Sequence, residues 1–196
     1  WTITAKFTDG NQKFVAKYVG KGDEKTEITS EAQAKEVRDF LLGQTYSVTA
    51  VKSGERRKNP PPPFTTSNLQ QEAVRKLSFT TKKTMQIAQM LYEGVDIEGE
   101  GSVGLISYIR TDSTRLSDEA LTAAREYIAD NFSPEYLPET PNVFKGRKNA
   151  QDAHEAIRPT HALYSPEKVK ASLTRDQYRL YKLIYDRYLA SQMTPA

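Results

Sequence analysis

The sequence of 196 residues contains no cysteine. This absence excludes disulfide bonds and zinc sites built on cysteine, and it is compatible with a reducing cytoplasm. The sequence also lacks an apolar run of about 18 residues, which a membrane-spanning helix requires. It has no basic segment followed by a short apolar stretch, the pattern of a secretory signal. We therefore expect a cytoplasmic protein with no membrane partner.

A large excess of charge of one sign is absent as well. The 28 Lys and Arg residues nearly balance the 25 Asp and Glu residues, which gives a net charge of +3. Such a balance does not by itself indicate a polyanionic partner. Basic residues do cluster locally, at Arg56, Arg57 and Lys58, at Lys82 and Lys83, and at Lys145, Arg147 and Lys148. Each cluster is compatible with binding a phosphate backbone, but each alone favours an ordinary solvated surface.

The first part of the chain has the pattern of a small β-rich domain. Apolar and polar residues alternate over 1–7 and again over 14–18, and Asp9-Gly10 between them predicts the turn of a hairpin. Ser30 and Gln33 have the spacing of a capping box, which predicts a helix that ends at Gly43. Residues 46–52 alternate again and predict a third strand.

Four consecutive prolines occupy positions 60–63. Prolines fix the backbone in an extended path and donate no amide hydrogen bond, so this run predicts a stiff linker between domains.

Helical patterns dominate after the prolines. The predicted helix starts are Ser67 with Gln70, Thr80 or Thr81, Ser117, Ser165 before Pro166, and Thr174 with Gln177. Residues 98–101 read as a polar loop and residues 152–157 as a short helix. The last helix is predicted to extend to about Ser191. It carries four tyrosines on one stripe, which favours a packed helix face over a surface that stacks bases.

These patterns together predict an α+β fold. A small antiparallel β-containing domain over 1–59 is joined by the proline linker, 60–63, to a mainly α-helical domain over 64–190 with a helix-turn-helix-like core. Residues 191–196 then return toward the β domain.

The segment Gly104-Leu-Ile-Ser-Tyr-Ile-Arg-Thr-Asp-Ser-Thr114 concentrates chemically useful side chains. In an extended chain Tyr108, Arg110 and Asp112 share one face, with neighbours about 7 Å apart. A free tyrosine has a pKa of about 10, so attack by its oxygen on a phosphodiester needs nearby positive charge. The planar guanidinium of Arg110 supplies that charge and matches phosphate geometry.

The other polar residues of this segment have supporting predictions. Asp112 is expected to orient Arg110 or a hydroxyl, or to cap local amides, and Thr111 and Ser113 are candidate donors to phosphate oxygens. The residues alone leave an alternative open. The chain has 11 tyrosines, so Tyr108 also fits a core strand followed by ordinary turn and cap residues.

A second candidate site lies at His154-Glu-Ala-Ile-Arg-Pro-Thr160. Histidine can move protons or bind phosphate near neutral pH, and Arg158 is a second candidate phosphate clamp. A zinc-protease motif is excluded because position 158 is arginine instead of histidine. The residues leave open that His154 is an ordinary surface histidine.

Five segments in order resemble the type IA DNA topoisomerase family of bacteria. They are the Tyr108 segment, the His154 segment, Pro62-Pro-Phe-Thr-Thr-Ser-Asn-Leu-Gln-Gln71, Lys82-Lys-Thr-Met-Gln-Ile-Ala-Gln-Met-Leu-Tyr-Glu93 and Gln192-Met-Thr-Pro195. By this resemblance Tyr108 is the nucleophile that joins the 5′ phosphate of a cleaved strand, and Arg110 binds that phosphate. His154 supports the site or contacts DNA. The resemblance makes Thr111, Asp112, Ser113 and Arg158 supporting residues.

The resemblance also implies the setting of the chain. The expected partners are single-stranded DNA, negatively supercoiled DNA of the nucleoid, and a separate N-terminal domain whose acidic residues bind Mg²⁺. The chain is then a monomeric internal piece holding the nucleophile domain and part of a hinge domain. By itself it is expected neither to relax DNA nor to bind Mg²⁺ specifically.

Two other function classes remain at this point. Recombinases and type IB topoisomerases form a 3′ phosphotyrosine and use a His-x-x-Arg pattern, but His154 and Arg158 are spaced one residue further apart. The second class is a non-catalytic helical module that binds DNA or another protein.

Overall fold

A computed structural model describes residues 1–22, 24–144 and 154–196. The chain forms two compact units, Trp1–Gly54 and Glu55–Ala196. The fold is α+β, as the sequence predicts, with six α-helices and three two-stranded antiparallel sheets in the described part of the chain. No helix there is long and apolar enough to span a bilayer. The basic cluster at Lys145, Arg147 and Lys148 lies outside the described residues.

The first unit contains the predicted hairpin. Strand β1 (Thr4–Asp9) pairs antiparallel with β2 (Gln12–Lys17), so that Thr4 lies opposite Lys17. The turn uses Gly10, whose φ of 55° is a conformation that glycine adopts without a steric penalty. A second small pair joins β3 (Gly20–Lys21) to β4 (Glu24–Lys25).

Helix α1 (Glu31–Leu42) starts at the predicted cap and stops at Gly43. The Ser30 hydroxyl accepts from the Gln33 amide at 3.3 Å, but the Gln33 side chain accepts from the amide of Thr29 at 3.0 Å instead of that of Ser30. The reciprocal half of the predicted capping box is therefore shifted by one residue.

The predicted strand over 46–52 is wrong. These residues have no regular secondary structure, and Val48 and Val51 are exposed. Within the described residues β1 and β2 pair only with each other, so the segment lacks a neighbour to take its backbone hydrogen bonds. Alternation shows that a segment could bury one face as a strand, but a strand also needs a neighbouring strand for its backbone hydrogen bonds.

The second unit contains five helices among its described residues. They are α2 (Thr66–Leu77), α3 (Thr81–Glu93), α4 (Asp118–Asn131), α5 (Pro166–Val169) and α6 (Arg175–Ser191). The caps at Thr80, Ser117, Ser165 and Thr174 are confirmed, and Thr174 with Gln177 forms a complete capping box.

The predicted cap at Ser67 is wrong by two residues. The N-cap of α2 is Thr65, whose hydroxyl accepts from the Asn68 amide at 3.3 Å. Both threonines before Ser67 are good capping residues, so local chemistry alone did not distinguish them.

The prolines lie inside the second unit. Pro63 is buried, and the carbonyl of Pro62 accepts from the Arg187 guanidinium of α6 at 3.3 Å. That guanidinium also lies over the ring of Phe64, 4.3 Å from its centroid. The end of the proline run is thus packed on α6, and the boundary between the compact units precedes it.

Helices α2, α3 and α6 pack on one another around the main apolar core. The predicted packed face of α6 is confirmed, because Tyr181, Tyr185 and Tyr188 are buried. Their hydroxyls donate to the carbonyls of Tyr164, Ala162 and Ala120 at 2.6, 2.5 and 2.6 Å. Each buried phenol therefore has a partner, as a buried polar group needs.

Within the predicted polar loop over 98–101, residues 98–100 are the turn of a hairpin that the sequence did not predict, and Gly101 begins its second strand. Strand β5 (Val95–Ile97) pairs with β6 (Gly101–Val103), with Val95 opposite Val103. Strand β6 leads directly into the Tyr108 segment and so fixes where that segment starts.

Candidate active site

The Tyr108 segment is held by backbone pairing with the His154 segment. The Thr160 amide donates to the Leu105 carbonyl at 3.0 Å, and the Ser107 amide donates to the Arg158 carbonyl at 2.9 Å. Ile106 and Pro159 form an isolated antiparallel bridge between them. The two sequence segments singled out above are therefore neighbours in space. The described part of the predicted helix over 152–157 is not helical, since residues 154–156 have no regular structure and Ile157 forms an isolated bridge with Phe64. Residues 152 and 153 lie outside the described residues.

The hydroxyl of Ser107 fixes the backbone just before Tyr108. It donates to the Ala156 carbonyl at 2.7 Å and accepts from the Arg158 amide at 2.9 Å. A hydroxyl has one proton to donate and lone pairs to accept, so both bonds form together.

The hydroxyl of Thr66 fixes the backbone just after Tyr108. It donates to the Ile109 carbonyl at 2.7 Å and accepts from the Thr111 amide at 3.0 Å. Thr66 is the first residue of α2. The nucleophile candidate therefore lies between Ser107, which bonds to the His154 segment, and Ile109, whose carbonyl bonds to α2.

Tyr108 itself faces solvent, with 47% of its surface exposed. Its ring contacts Tyr92 of α3 nearly edge to face, with centroids 5.6 Å apart, and the ring of His154 lies 6.3 Å away at 41°. The structure thus brings His154 beside Tyr108. A phenol that is exposed on an immobilised backbone can reach a bound strand without a large rearrangement.

Side chains alternate along this segment as predicted. Tyr108, Arg110 and Asp112 are exposed, whereas Ile109, Thr111 and Ser113 are buried. The regular strand ends at Val103, however, and the chain bends at residues 109–110. A phenol, a guanidinium and a carboxylate are therefore exposed at successive alternate positions.

The predicted roles of Asp112, Thr111 and Ser113 need correction. None of the ten ion pairs in the described part of the chain includes Asp112 or Arg110. The local amides are capped by hydroxyls instead: Thr111 accepts from the Ser113 amide at 3.0 Å, and Ser113 accepts from the Arg115 amide at 3.1 Å. Because both hydroxyls are buried and used in this turn, they support the segment and do not face a phosphate.

Arg158 also has a supporting position. Its Nε donates to Glu155 at 2.6 Å and its Nη1 to the Pro159 carbonyl at 2.8 Å. Only 17% of its side chain is exposed. The guanidinium therefore holds the His154 segment in shape, and the predicted phosphate clamp is not the geometry found. Arg110 is left as the exposed guanidinium of these two segments.

The site does not fit a magnesium ion. In the ranges 1–22, 24–144 and 154–196, no group of three or more His, Asp or Glu side chains is arranged to hold a metal. Asp112 is the one exposed carboxylate near Tyr108 within the segment, and one carboxylate without water or phosphate oxygens does not complete the octahedral coordination of Mg²⁺.

Sequence reasoning missed three residues of this site. Ser107 and Thr66 make their bonds to residues 49 and 43 positions away, respectively, and Tyr92 lies in the middle of an ordinary helical pattern. The adjacent threonines at 65 and 66 were a usable signal, because a helix needs one capping side chain and the second is then free for another contact.

Comparison with known proteins shows the family of the chain. A sequence model of the family described as DNA topoisomerase matches residues 1–196. Among solved structures, full-length topoisomerase I from Thermotoga maritima is 38% identical, with a TM-score of 0.69. The match covers 100% of this chain and 29% of that protein. This chain therefore spans less than a third of the length of the protein it matches.

Proposed function

The chain belongs to the DNA topoisomerase family, and from that membership we propose that it carries the nucleophile of a type IA enzyme that cleaves and reseals one DNA strand. The supporting observation is the exposed phenol of Tyr108 on a backbone anchored at both sides, with Arg110 exposed two residues away. In a longer protein this reaction would relax negative supercoils.

The proposed reaction exchanges one phosphate ester for another. The Tyr108 oxygen attacks the phosphorus of a single-stranded phosphodiester and loses its proton. The bond to the 3′ oxygen breaks, that oxygen takes up a proton, and the 5′ phosphate stays on the tyrosine. Attack by the 3′ hydroxyl reverses each change. Because the phosphotyrosine conserves the ester bond, resealing needs no ATP.

Arg110 and His154 have distinct proposed roles. The charged fork of Arg110 binds the phosphate oxygens and stabilises the negative charge that develops during attack. The His154 ring, 6.3 Å from that of Tyr108, is placed to contact the strand or to assist the transfer of the tyrosine proton. Thr111 and Ser113 stabilise the Tyr108 segment, and Arg158 stabilises the His154 segment. Asp112 adds an exposed carboxylate and is proposed as a further supporting residue.

The proposal includes partners outside this chain. Single-stranded and negatively supercoiled DNA are the proposed substrates, and a further domain of the same protein supplies Mg²⁺ through its acidic residues. The proposed working form is a monomer in the cytoplasm, associated with the nucleoid.

The test is to trap the covalent adduct. The longer protein that contains this segment is incubated with end-labelled single-stranded DNA, denatured and digested, and the adduct is located by mass spectrometry. We expect it on Tyr108, attached to the 5′ phosphate. An adduct on another residue, or on the 3′ phosphate as in type IB enzymes, contradicts the proposal. Full relaxation activity of Tyr108→Phe would favour the non-catalytic module instead.

A further inference from the structure

We propose that Thr66 is a positioning residue, whose hydroxyl sets the direction of the Arg110 side chain by closing the backbone bend around it. The inference rests on the proposed function, because Arg110 matters through its contact with the scissile phosphate. It goes beyond that function because Thr66 is outside the Tyr108 segment and touches no substrate.

The bonds of Thr66 enclose Arg110 on both sides. The hydroxyl donates to the carbonyl of Ile109, the residue before Arg110, at 2.7 Å. It accepts from the amide of Thr111, the residue after Arg110, at 3.0 Å. The Thr66 amide adds a third bond, to the Thr111 carbonyl at 2.9 Å. One residue of α2 therefore fixes both peptide planes that flank Arg110.

Among residues 109–111, Arg110 is the one whose side chain is exposed. Ile109 is 2% exposed and Thr111 is 7% exposed, whereas Arg110 lies on the surface. Since peptide groups are planar, fixing the two flanking planes fixes the direction in which the Arg110 side chain leaves the backbone. Without the hydroxyl, the Ile109 carbonyl and the Thr111 amide lose their partner, and the bend at 109–110 is free to open.

A helix-capping role does not account for this hydroxyl. The cap of α2 is the neighbouring residue, Thr65, whose hydroxyl accepts from the Asn68 amide at 3.3 Å. The two adjacent threonines thus have different tasks, one within the helix and one across to the site. Thr65 is therefore a matched control: it has the same side chain on the same helix turn and no bond to the Tyr108 segment among the described residues.

The test compares variants of the longer enzyme in single-turnover cleavage and resealing of a single-stranded oligonucleotide. Thr66→Val keeps the shape and removes the hydroxyl, and we expect both rates to fall by about 10-fold to 100-fold, the effect typical of a misplaced catalytic group. The Kd for the oligonucleotide should change less than about threefold, since one mobile charge still reaches the backbone. Thr66→Ser should stay close to the parent. Thr65→Val should lower thermal stability but not the rates.

A double variant shows whether the effect passes through Arg110. Thr66→Val added to Arg110→Ala should cause no further loss of rate, because the side chain being aimed is already absent. Losses that multiply, or equal losses from Thr66→Val and Thr65→Val in folded protein, overturn the inference. If Thr66→Val does not fold, Thr66→Cys replaces it in the test, because a thiol is a weaker hydrogen-bonding group than a hydroxyl. Its cleavage and resealing rates should fall below those of the parent enzyme, and unchanged rates overturn the inference. The parent enzyme reports separately on the proposed function, through its adduct on Tyr108.

Discussion

The rings of Tyr108 and Tyr92 meet nearly edge to face, with centroids 5.6 Å apart and planes at 66°. Both phenols are exposed, at 47% and 38%. They differ in their backbones. Tyr108 lies between Ser107, which bonds to the Ala156 carbonyl, and Ile109, whose carbonyl accepts from the Thr66 hydroxyl, whereas Tyr92 lies within α3. The pair therefore provides two similar phenols at one site, only one of which is proposed to react.

Replacing either phenol by phenylalanine separates chemistry from packing. Tyr108→Phe should abolish adduct formation in the longer enzyme, because the attacking oxygen is gone, while the Kd for single-stranded DNA changes less than about threefold. Tyr92→Phe keeps the ring contact and should retain cleavage. Adduct yield and DNA binding are measured on both variants. Cleavage by Tyr108→Phe, or its loss in Tyr92→Phe alone, would contradict the assignment of the nucleophile.

Removing the Ser107 hydroxyl should loosen the Tyr108 segment. Ser107→Ala leaves the Ala156 carbonyl and the Arg158 amide without their partner, and we expect a loss of about 1–3 kcal/mol in the free energy of unfolding. Ser107→Thr keeps the hydroxyl and should lose less. Ser133→Ala is the control, since Ser133 is exposed and makes no side-chain cap hydrogen bond. Chemical denaturation of this chain measures all three, and equal stabilities for Ser107→Ala and Ser133→Ala would refute the expected role.

The buried tyrosines of α6 should make the second unit sensitive to alkali. Burial raises the pKa of Tyr188 to about 12 and also raises the pKa values of Tyr181 and Tyr185. In the unfolded chain a tyrosine ionises near pH 10. The folded state therefore holds protons that the unfolded state has lost, so the stabilisation is fully present below about pH 10 and is lost as the pH rises toward the folded pKa values.

Tyr188→Phe tests this pH dependence. For a shift of about 2 units, Tyr188 alone accounts for roughly 3 kcal/mol lost at high pH. The variant should be less stable at pH 7 by about 1 kcal/mol, because the bond to the Ala120 carbonyl is gone, and its stability should fall less steeply between about pH 10 and 12. Tyr136→Phe, at an exposed tyrosine, should keep the parent slope. Parallel slopes for all three proteins, measured by circular dichroism, would contradict the burial argument.

The isolated chain should be unable to relax supercoiled DNA. The described residues include the proposed nucleophile but no group of three or more His, Asp or Glu side chains that could hold a metal, so titration with Mg²⁺ should give no saturable heat in calorimetry. Plasmid relaxation assays with and without Mg²⁺ should show unchanged supercoiling, whereas the longer enzyme serves as the positive control. Relaxation by the isolated chain would overturn this expectation and the division of roles between domains.

Sequence reasoning succeeded where the physical cause is local. Thr80, Ser117 and Thr174 start helices because each side chain caps the amide three residues ahead. Alternation predicted that Tyr108 and Arg110 share one face, and the structure shows that this face is exposed. The family resemblance supplied the role of Tyr108, which the residues alone did not decide.

The failures have causes that lie far away in the sequence. Residues 46–52 have the alternation of a strand but no partner strand in the described part of the chain. The structure gives Thr111 and Arg158, both predicted to bind phosphate, bonds to the Ser113 amide and to Glu155 that no local pattern indicated. The bonds of Ser107 and Thr66 cross more than forty residues, and no local pattern encodes such contacts.

The position of Arg187 in the last helix determines when its contacts can form during synthesis. Its guanidinium joins the last helix to Pro62 and Phe64, at the beginning of the same unit and next to Thr66. During synthesis these early residues leave the ribosome more than a hundred positions before their anchor does. A nascent chain that ends before α6 therefore lacks the guanidinium that joins Pro62 and Phe64 to the last helix, so the beginning of the unit completes its packing only after that helix has been synthesised.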